Sequence, residues 1–553
     1  MASLEPPVRI APLFNAGEHH RQRTHEAIGM AAIVLVALAT AFRMGALTSG
    51  FSGADEPSHY LNIYLIWAYV TEALGQNPLA YAKAFYVHYP KISIGHWPPL
   101  YYALMSPMMF LLPHVPAAAF AVNVVVSALP ALITVRLLTP LMGVAWAVGA
   151  GLWIVMVPVM IEGASFFMLD QAIAAVALVA ALVWGRFSER PSLPMALLYG
   201  VLCSVAILIK GDGWLLGLVP IFHMALTGRW RLVLDWRSWA GAAAALVIVL
   251  PWTVVSYKIS ADGFNYDWGL DYTAKALLFF GGELIRNHIG PAATVIILVG
   301  VVAALRRRKD DPVRQLATTC LALALATLVF HAIVPVDLAT RYMVPAVPPL
   351  CMLGAIGACE LTSRLRGRWA QTIAGAAILG IVILPGVLFL AGQRGKVDLR
   401  MDEVAADVVS DHPMVLVIDG SAGAEGALIA EVAIRDRART TYVVRSSDLL
   451  ASSDFMAHRY ALRYDSPAGA LDALRAVGAS AVIVASSEAM QRYPHSEQLT
   501  AALNAPDSAY RLVKTLPHGN RTGETRLFRL ERPLPVALSQ VRAINLPDKA
   551  PDF

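Results

Sequence analysis

Two adjacent carboxylates, Asp55 and Glu56, follow the first long apolar run of the chain. A carboxylate at a membrane surface is partly desolvated, and desolvation raises its basicity, so this pair is suited to accept a proton from a substrate. His59 and Tyr60 follow in the same stretch and are predicted to contact that substrate. The competing interpretation is structural, because Asp55 or Ser58 could simply be the N-cap of the next helix.

A second polar group, at residues 86–102, contains two histidines, a lysine and several aromatic residues. Aromatic residues are expected at a membrane surface whatever the protein does. Lys91 and His96 have no such explanation, and their side chains suit an anionic head group, such as a phosphate, held at the lipid surface. His88 and Tyr89 are predicted to line the same site.

Further ionisable residues stand at the ends of later apolar runs. Asp170 begins one run, where it could cap a helix or contact a substrate. Lys210 and Asp212 separate two runs, so they could form a local ion pair, or Lys210 could face a phosphate. Arg341 lies at the outer mouth of a run, against the usual distribution of positive charge, which favours a ligand-binding role. The adjoining Tyr342 is predicted to contact the substrate.

The amino-acid composition indicates that these residues belong to a membrane protein. Of 553 residues, 57% are apolar and 15% charged, and the mean hydropathy is +0.57, whereas soluble domains have about 45–50% apolar and about 25% charged residues. A cytosolic enzyme, a disordered chain and a disulfide-rich secreted scaffold are thereby excluded. The four cysteines form no CxxC pattern, and the net charge of +5 is too small to indicate nucleic-acid binding. We predict a polytopic α-helical membrane protein whose partners include membrane lipids but no nucleic acid.

Eleven apolar segments are candidates for membrane spans. They are 28–48, 117–137, 142–161, 170–187, 194–210, 213–228, 238–257, 290–305, 315–335, 343–361 and 370–391. With the N-terminus in the cytoplasm, the inner connections carry most Lys and Arg residues, as expected for membrane proteins. The apolar run 98–112 is short for a span, so we interpret it as an interfacial helix. It lies in a long outer loop, 49–116, with an amphipathic helix expected near 61–74.

The density of charged residues rises near Gly392. We predict a cytoplasmic tail at 1–27, a transmembrane domain at 28–392 and an extracytoplasmic domain at 393–553; a cleavable signal peptide over 1–41 is the rival interpretation of the start. Strand and helix patterns alternate in the last part, which predicts a small α/β domain with a partly parallel sheet. The strand patterns are 414–419, 440–445 and 481–485, and the helical ones are 427–435 and 469–477.

Five short motifs occur in an order found in one enzyme family. They are Asp55-Glu56, Pro98-Pro99-Leu100-Tyr101-Tyr102, Leu169-Asp170, Lys210-Gly211, and Arg341-Tyr342 continuing as x-x-Pro-x-x-Pro-Pro-Leu. In this order they resemble the GT-C glycosyltransferases of the protein O-mannosyltransferase and lipid A aminoarabinose transferase group, over about residues 28–360. The resemblance implies a GT-C fold and transfer of a sugar from a polyprenyl-phosphate carrier on the extracytoplasmic side.

The resemblance also assigns roles to residues. Asp55 matches the family's catalytic carboxylate, with Glu56 beside it, and Asp170 matches its second acidic position. Lys91 and His96 lie where relatives hold the carrier phosphate. Many relatives have an Arg shortly before the equivalent of Asp170, and this chain has none, so the sugar is not implied.

We therefore expect an inverting sugar transferase of the inner (plasma) membrane, with its C-terminal domain in the periplasm. Asp55 is the predicted base for the acceptor hydroxyl. The departing phosphate is predicted to be stabilised by cationic side chains, namely Lys91, His96, Lys210 and Arg341. The acceptor is expected to be an envelope lipid, glycan or protein.

Three alternatives stay open at this point. A divalent cation could be held by Asp55, Glu56, His59 and His96. A transporter or flippase of lipid-linked sugars would instead be typified by inverted repeats and ionisable residues at mid-membrane, which the sequence does not display convincingly. An envelope assembly protein would depend on its outer domain and not on Asp55. The Gly-rich segment 420–426 does not match GxGxxG, so acceptor docking or a structural role is favoured there over nucleotide binding.

Overall fold

All eleven apolar segments are helical in the computed structural model, which describes residues 16–93, 95–263, 269–453, 459–487 and 493–546. The first fifteen residues of the predicted tail lie outside this description. Before residue 393 the α-helices are α1 (Ala16–Arg43), α2 (Glu56–Glu72), α3 (Pro78–His88), α4 (Leu100–Met105), α5 (Met108–Leu111), α6 (Pro116–Met142), α7 (Val144–Met156), α8 (Pro158–Ser165), α9 (Asp170–Glu189), α10 (Leu193–Ile209), α11 (Val219–Thr227), α12 (Trp236–Gly263), α13 (Leu270–Glu283), α14 (Pro291–Leu305), α15 (Pro312–Ile333), α16 (Val347–Ser363) and α17 (Arg368–Gly392). Short 3-10 helices cover Gly211–Leu218, Trp230–Leu234 and Thr340–Ala346, and a π-helix covers Leu284–His288.

Within the described residues, seven helices are long and apolar enough to cross a membrane. The number rises to nine if each of two bent pairs is one span: α7 with α8, bent by 63°, and the α13 segment with α14, bent by 107°. This is fewer than the eleven spans predicted. The difference lies in α10, which has only 17 residues, and in segment 213–228, where a 3-10 helix precedes α11.

Glycines allow two pairs of helices to approach closely. A Cβ atom on Gly200 of α10 would lie 2.2 Å from the carbonyl oxygen of Gly241 in α12. A Cβ atom on Gly300 of α14 would lie 1.9 Å from the carbonyl oxygen of Leu353 in α16. No larger residue fits at either glycine unless the backbones separate, so these positions set the spacing between the helices.

The outer loop between α1 and α6 is largely helical. Helix α2 includes residues 61–72 of the predicted amphipathic helix but begins earlier, and residues 56–64 are buried on every face, so this half is not amphipathic. The segment predicted as an interfacial helix is helical, as α4 and α5, with Pro107 between them. Together they form a short apolar segment, Leu100–Leu111. The loop is therefore a folded layer over one end of the bundle.

The chain after α17 forms an α/β region. Its helices are α18 (Met401–Val408), α19 (Ala422–Arg435), α20 (Ser446–Leu449), α21 (Pro467–Val477), α22 (Pro494–Leu503) and α23 (Leu538–Asn545), and its strands are β1 (Met414–Asp419), β2 (Thr441–Arg445), β3 (Ala451–Ser452), β4 (Ala461–Leu462), β5 (Ala479–Ser486), β6 (Tyr510–Pro517) and β7 (Glu524–Leu530). Five strands form a sheet in the order β2-β1-β5-β7-β6. Strand β1 is parallel to β2 and β5, and β7 is antiparallel to β5 and β6. The predicted partly parallel sheet is confirmed, but its antiparallel pair β6–β7 was not predicted.

Positive residues of the predicted inner connections gather at one end of the bundle. Arg186, Arg190, Arg229 and Lys309, from three different connections, line one cleft of about 890 Å³. The outer loop and the α/β region are in contact, since the backbone N–H of Lys396 donates to the carbonyl of Met44.

Candidate functional site

Asp55 lies at the N-cap position of α2, but its side chain makes no capping hydrogen bond. Its Oδ2 instead accepts a hydrogen bond of 3.1 Å from Nη1 of Arg341, a residue 286 positions away in the sequence. The side chains are 30% and 34% exposed, respectively. Tertiary structure thus brings together a carboxylate and a guanidinium that solvent and small molecules can still reach. Asp55 thus occupies the N-cap position that the structural interpretation predicted, but its side chain is directed to Arg341 and does not cap the helix.

The surroundings of Asp55 keep its carboxylate ionised. Burial raises the pKa of Asp55, but nearby His59 and Arg341 lower it more, so the net pKa lies below its usual value. Burial lowers the pKa of His59 to about 3, which makes this imidazole neutral at physiological pH. At neutral pH the cations that act on Asp55 are therefore Arg341 and, more weakly, Lys91, and His59 adds to them only when acid protonates it.

Lys210 lies between two carboxylates beside this pair. Its Nζ is 2.8 Å from Oδ1 of Asp170 and 2.7 Å from Oδ2 of Asp212. The local ion pair predicted for Lys210 and Asp212 is present, and Asp170 adds a second contact from the first turn of α9. Asp170 makes no side-chain cap of α9. The lysine therefore fixes two carboxylates that would otherwise repel each other.

Tyr342 joins the two groups of charges. Its ring centroid is 4.6 Å from Nζ of Lys210 and 5.6 Å from Cζ of Arg341. Such cation–π distances are attractive for both side chains. The structure thus brings four of the predicted site residues, Asp55, Asp170, Lys210 and Arg341, together around Tyr342.

His59 and two aromatic residues form a wall on the α2 side. Nδ1 of His59 is 2.9 Å from the hydroxyl of Tyr102, and its ring centroid is 4.4 Å from that of Trp97. Both partners come from the predicted polar group at 86–102. The short distance between Asp55 and His59 in sequence, one turn of α2, places this wall beside the carboxylate.

Lys91 approaches the same region from the loop after α3. Its Nζ donates to the carbonyl of Ala422 at 3.2 Å. Burial and the nearby charge of Arg445 lower the pKa of Lys91 to about 8. Asp55 is close enough to influence this pKa in the opposite direction. His96 lies in the turn before α4, where burial lowers its pKa.

Glu56 points away from Asp55 and is fully buried. Its Oε2 accepts hydrogen bonds from the backbone N–H groups of Ser52 and Gly53, at 2.8 and 2.7 Å. Its Oε1 forms an ion pair with Lys396, which is also fully buried. With both oxygens engaged inside the protein, the geometry favours a positioning role over the catalytic role predicted for Glu56.

Three predicted substrate-binding residues are placed elsewhere. Tyr60 is 1% exposed and packs against the ring of Phe51. His88 and Tyr89 contact the α/β region: Nδ1 of His88 is 3.0 Å from the carbonyl oxygen of Thr441, and the hydroxyl of Tyr89 donates to Asp436 at 2.9 Å. The substrate-binding prediction is corrected for these three, because their polar atoms face the protein interior.

The possible cation ligands do not converge. In the part of the chain that the structure describes, no group of three or more His, Cys, Asp or Glu side chains is arranged to hold a metal ion. Among the proposed ligands, Glu56 has both oxygens engaged inside the protein. Sequence reasoning missed Lys396, which sits in a short polar segment after α17 and carries no motif.

Comparison with known proteins supports the fold. No protein-family model matches the sequence, and no curated protein matches it. Among solved structures, ArnT from Cupriavidus metallidurans bound to undecaprenyl phosphate superposes with a TM-score of 0.53 at 15% identity, covering 90% of this chain and 97% of ArnT. Its apo state gives 0.52 at 13% identity, with the same coverage.

A second kind of membrane protein is also similar. The apo oligosaccharyltransferase from Archaeoglobus fulgidus superposes with a TM-score of 0.50 at 12% identity, covering 83% of this chain and 69% of that one. At these identities the similarity concerns the fold. The chain therefore has the GT-C fold that the order of its sequence motifs predicted.

Proposed function

We propose that this protein transfers a sugar from a polyprenyl-phosphate carrier to an envelope lipid, glycan or protein. The fold supports this proposal, because ArnT shares it along nearly its whole length and was solved with undecaprenyl phosphate. The oligosaccharyltransferase adds a second structure of the same fold. Similarity of fold alone does not identify a reaction, so the site carries the argument.

The observation that carries the proposal is the Asp55–Arg341 contact at the junction of helices and loop. Sugar transfer needs a base for the incoming hydroxyl and positive charge for the departing phosphate. Asp55 accepts the proton of the acceptor hydroxyl while the hydroxyl oxygen bonds to the anomeric carbon. The bond from that carbon to the phosphate oxygen breaks, and polyprenyl phosphate leaves with the electron pair. A single displacement of this kind inverts the anomeric centre.

The cationic side chains of the site differ in how freely each could contact the departing phosphate. Arg341 is the strongest candidate, because its guanidinium is about one-third exposed and can bind two oxygens at once. Lys91 is the second, since its Nζ donates to one carbonyl group and forms no ion pair among the described residues. Lys210 is engaged by two carboxylates, and we assign it to the support of Tyr342 and Arg341. His59 and Tyr342 are the candidates for contact with the sugar.

The sidedness of the reaction follows from the distribution of charge. The cleft lined by Arg and Lys supports a cytoplasmic position for that end of the bundle, and we assign the Asp55 site to the extracytoplasmic face of the plasma membrane. The α/β region, tied to the outer loop through Lys396 and Lys91, is assigned to the same side.

Replacing Asp55 tests the proposal whichever sugar is transferred. Envelope glycans and lipids from cells that carry wild type, Asp55→Asn or no gene are compared by mass spectrometry. Because general-base catalysis contributes about 10²–10⁴-fold, we expect Asp55→Asn to lose the same sugar residue as the deletion. Asp337→Asn, an exposed carboxylate of the outer side, is the matched control. Full modification in Asp55→Asn cells, at normal protein levels, would refute the assignment of the base.

A further inference from the structure

Lys396 is a buried cation contributed by the segment between α17 and α18. Its side chain is fully buried, forms an ion pair with Glu56 and lies 3.8 Å from the ring centroid of Phe120. Desolvation of a charge is unfavourable unless a partner compensates it. Lys396 and Glu56 therefore hold each other in place across 340 residues of sequence.

Glu56 transmits this contact to the loop that carries Asp55. Its second oxygen receives the N–H groups of Ser52 and Gly53. Residues 52–56 thus form a closed turn around one carboxylate, and Asp55 is part of that turn. Any shift of Glu56 must move the backbone from which Asp55 reaches Arg341.

Helix α19 of the α/β region supports the same turn from outside. A Cβ atom on Gly423 would lie 2.1 Å from the carbonyl oxygen of Ser52. A Cβ atom on Gly426 would lie 2.7 Å from Cε of Lys91 and 3.0 Å from Cγ of Pro57. From the sequence, segment 420–426 could serve acceptor docking or a structural role. Its glycines permit close packing of α19 on the turn.

We infer that Lys396 is a positioning residue for Asp55. The segment before α18, which carries Lys396, and helix α19 both belong to the α/β region, and together they fix the position of Asp55. The inference rests on the proposed function for its kinetic test. It makes the α/β region part of the active centre, in contrast to a separate module for acceptor docking. The substitution Lys396→Met keeps most of the side-chain volume and removes the charge.

The kinetic test uses purified full-length protein in lipid nanodiscs, with a polyprenyl-phosphate sugar that wild type consumes. A misplacement of about 1 Å in a reacting group lowers rates by about 10²-fold. We expect Lys396→Met to lower kcat by about 10- to 100-fold and to change the donor KM by less than about threefold. The acid limb of the pH–rate profile should move to higher pH, because Asp55 loses contact with Arg341. Simple loss of folded protein would lower the rate equally at every pH.

Two further variants separate positioning from folding. Lys396→Arg retains the charge and should recover part of kcat. The double variant carries Glu56→Gln and Lys396→Met, and so removes both charges. Because the two residues act as one unit, its rate should be no lower than that of the slower of the two single variants, Glu56→Gln and Lys396→Met. Lys514→Met removes a lysine that pairs with Asp407 on the exposed side of the same region, and its rate should equal that of wild type.

A measurement that needs no activity reports on the turn itself. Hydrogen exchange of a peptide covering residues 50–56 should accelerate at least about tenfold in Lys396→Met, since Glu56, the acceptor for the N–H groups of Ser52 and Gly53, is no longer held in place by a buried cation. Gly423→Ala should accelerate it as well, whereas Gly380→Ala, at a helical glycine with open space around it, should not. Unchanged exchange together with unchanged kcat in Lys396→Met overturns the inference. Absence of sugar transfer in wild type overturns only the proposed function.

Discussion

The contact between Arg341 and Asp55 yields a quantitative prediction for Arg341→Gln. Two unit charges 3.1 Å apart attract by about 1 kcal/mol in water and about 5 kcal/mol at an effective dielectric constant of about 20. Both side chains are about one-third exposed, so solvent screening places the pair near the lower limit, at about 1–2 kcal/mol. This corresponds to about one unit in the pKa of Asp55.

Arg341→Gln is therefore expected to change the enzyme in two ways. The pKa of Asp55, now below its usual value, should rise by about one unit, and the acid limb of the rate profile should rise with it. Since Asp55 works as the ionised base, activity is lost at a higher pH in the variant as the solution is acidified. Loss of positive charge from the departing phosphate should also lower kcat/KM by about 10²–10³-fold at neutral pH.

The assay is the pH dependence of kcat/KM with a polyprenyl-phosphate sugar, from about pH 2, since the pKa of Asp55 in wild type lies below its usual value, to about pH 9. Arg341→Lys should keep the acid limb near that of wild type but lose rate, because an ammonium group cannot bind two phosphate oxygens in one plane. Arg286→Gln, an exposed arginine of the same predicted side, serves as the control. An acid limb that stays in place while the rate falls would show that Arg341 does not act on Asp55 in the working enzyme.

Two other residues give shorter predictions. Lys210→Met leaves Asp170 and Asp212 without their cation, so we expect a loss of about 3–5 kcal/mol in stability, measured as a lower Tm in detergent; an unchanged Tm would refute the three-residue cluster. Lys91, whose pKa lies at about 8, loses its charge as the pH rises through that value, so kcat/KM should fall in the same range. In Lys91→Arg this alkaline limb should disappear, and its persistence would assign the limb to another group.

The fold class and the main members of the site were predictable from the sequence. Apolar runs of about 20 residues are visible in composition alone, and ionisable residues at their ends are exceptional enough to suggest function. Asp55, Asp170, Lys210 and Arg341 were each recognised in this way. Their contacts were not, because nothing in the local sequence indicates that Arg341 reaches a residue 286 positions earlier.

The errors at Glu56 and Tyr60 share a physical origin. Asp55 and Glu56, or His59 and Tyr60, are neighbours in sequence, but successive residues at the start of a helix project about 100° apart. Glu56 and Tyr60 are turned into the interior, whereas Asp55 reaches Arg341 and His59 contacts the wall beside it. His88 and Tyr89 were misplaced for a different reason: their partners lie in the α/β region, and sequence patterns do not show which surface covers a loop.

The different fates of Asp55 and Glu56 explain how adjacent carboxylates can serve one reaction. A base must remain accessible and ionised, so it cannot also be fully desolvated and paired inside the protein. A loop at the membrane surface, however, has little packing of its own to fix such a base. Here Glu56 is buried against Lys396 and the backbone of residues 52–53, which immobilises the turn and leaves Asp55 about one-third exposed beside Arg341. Glu56 thus supplies the rigidity and Asp55 the reactivity. Glu56 in turn depends on Lys396, which lies beyond the last membrane helix.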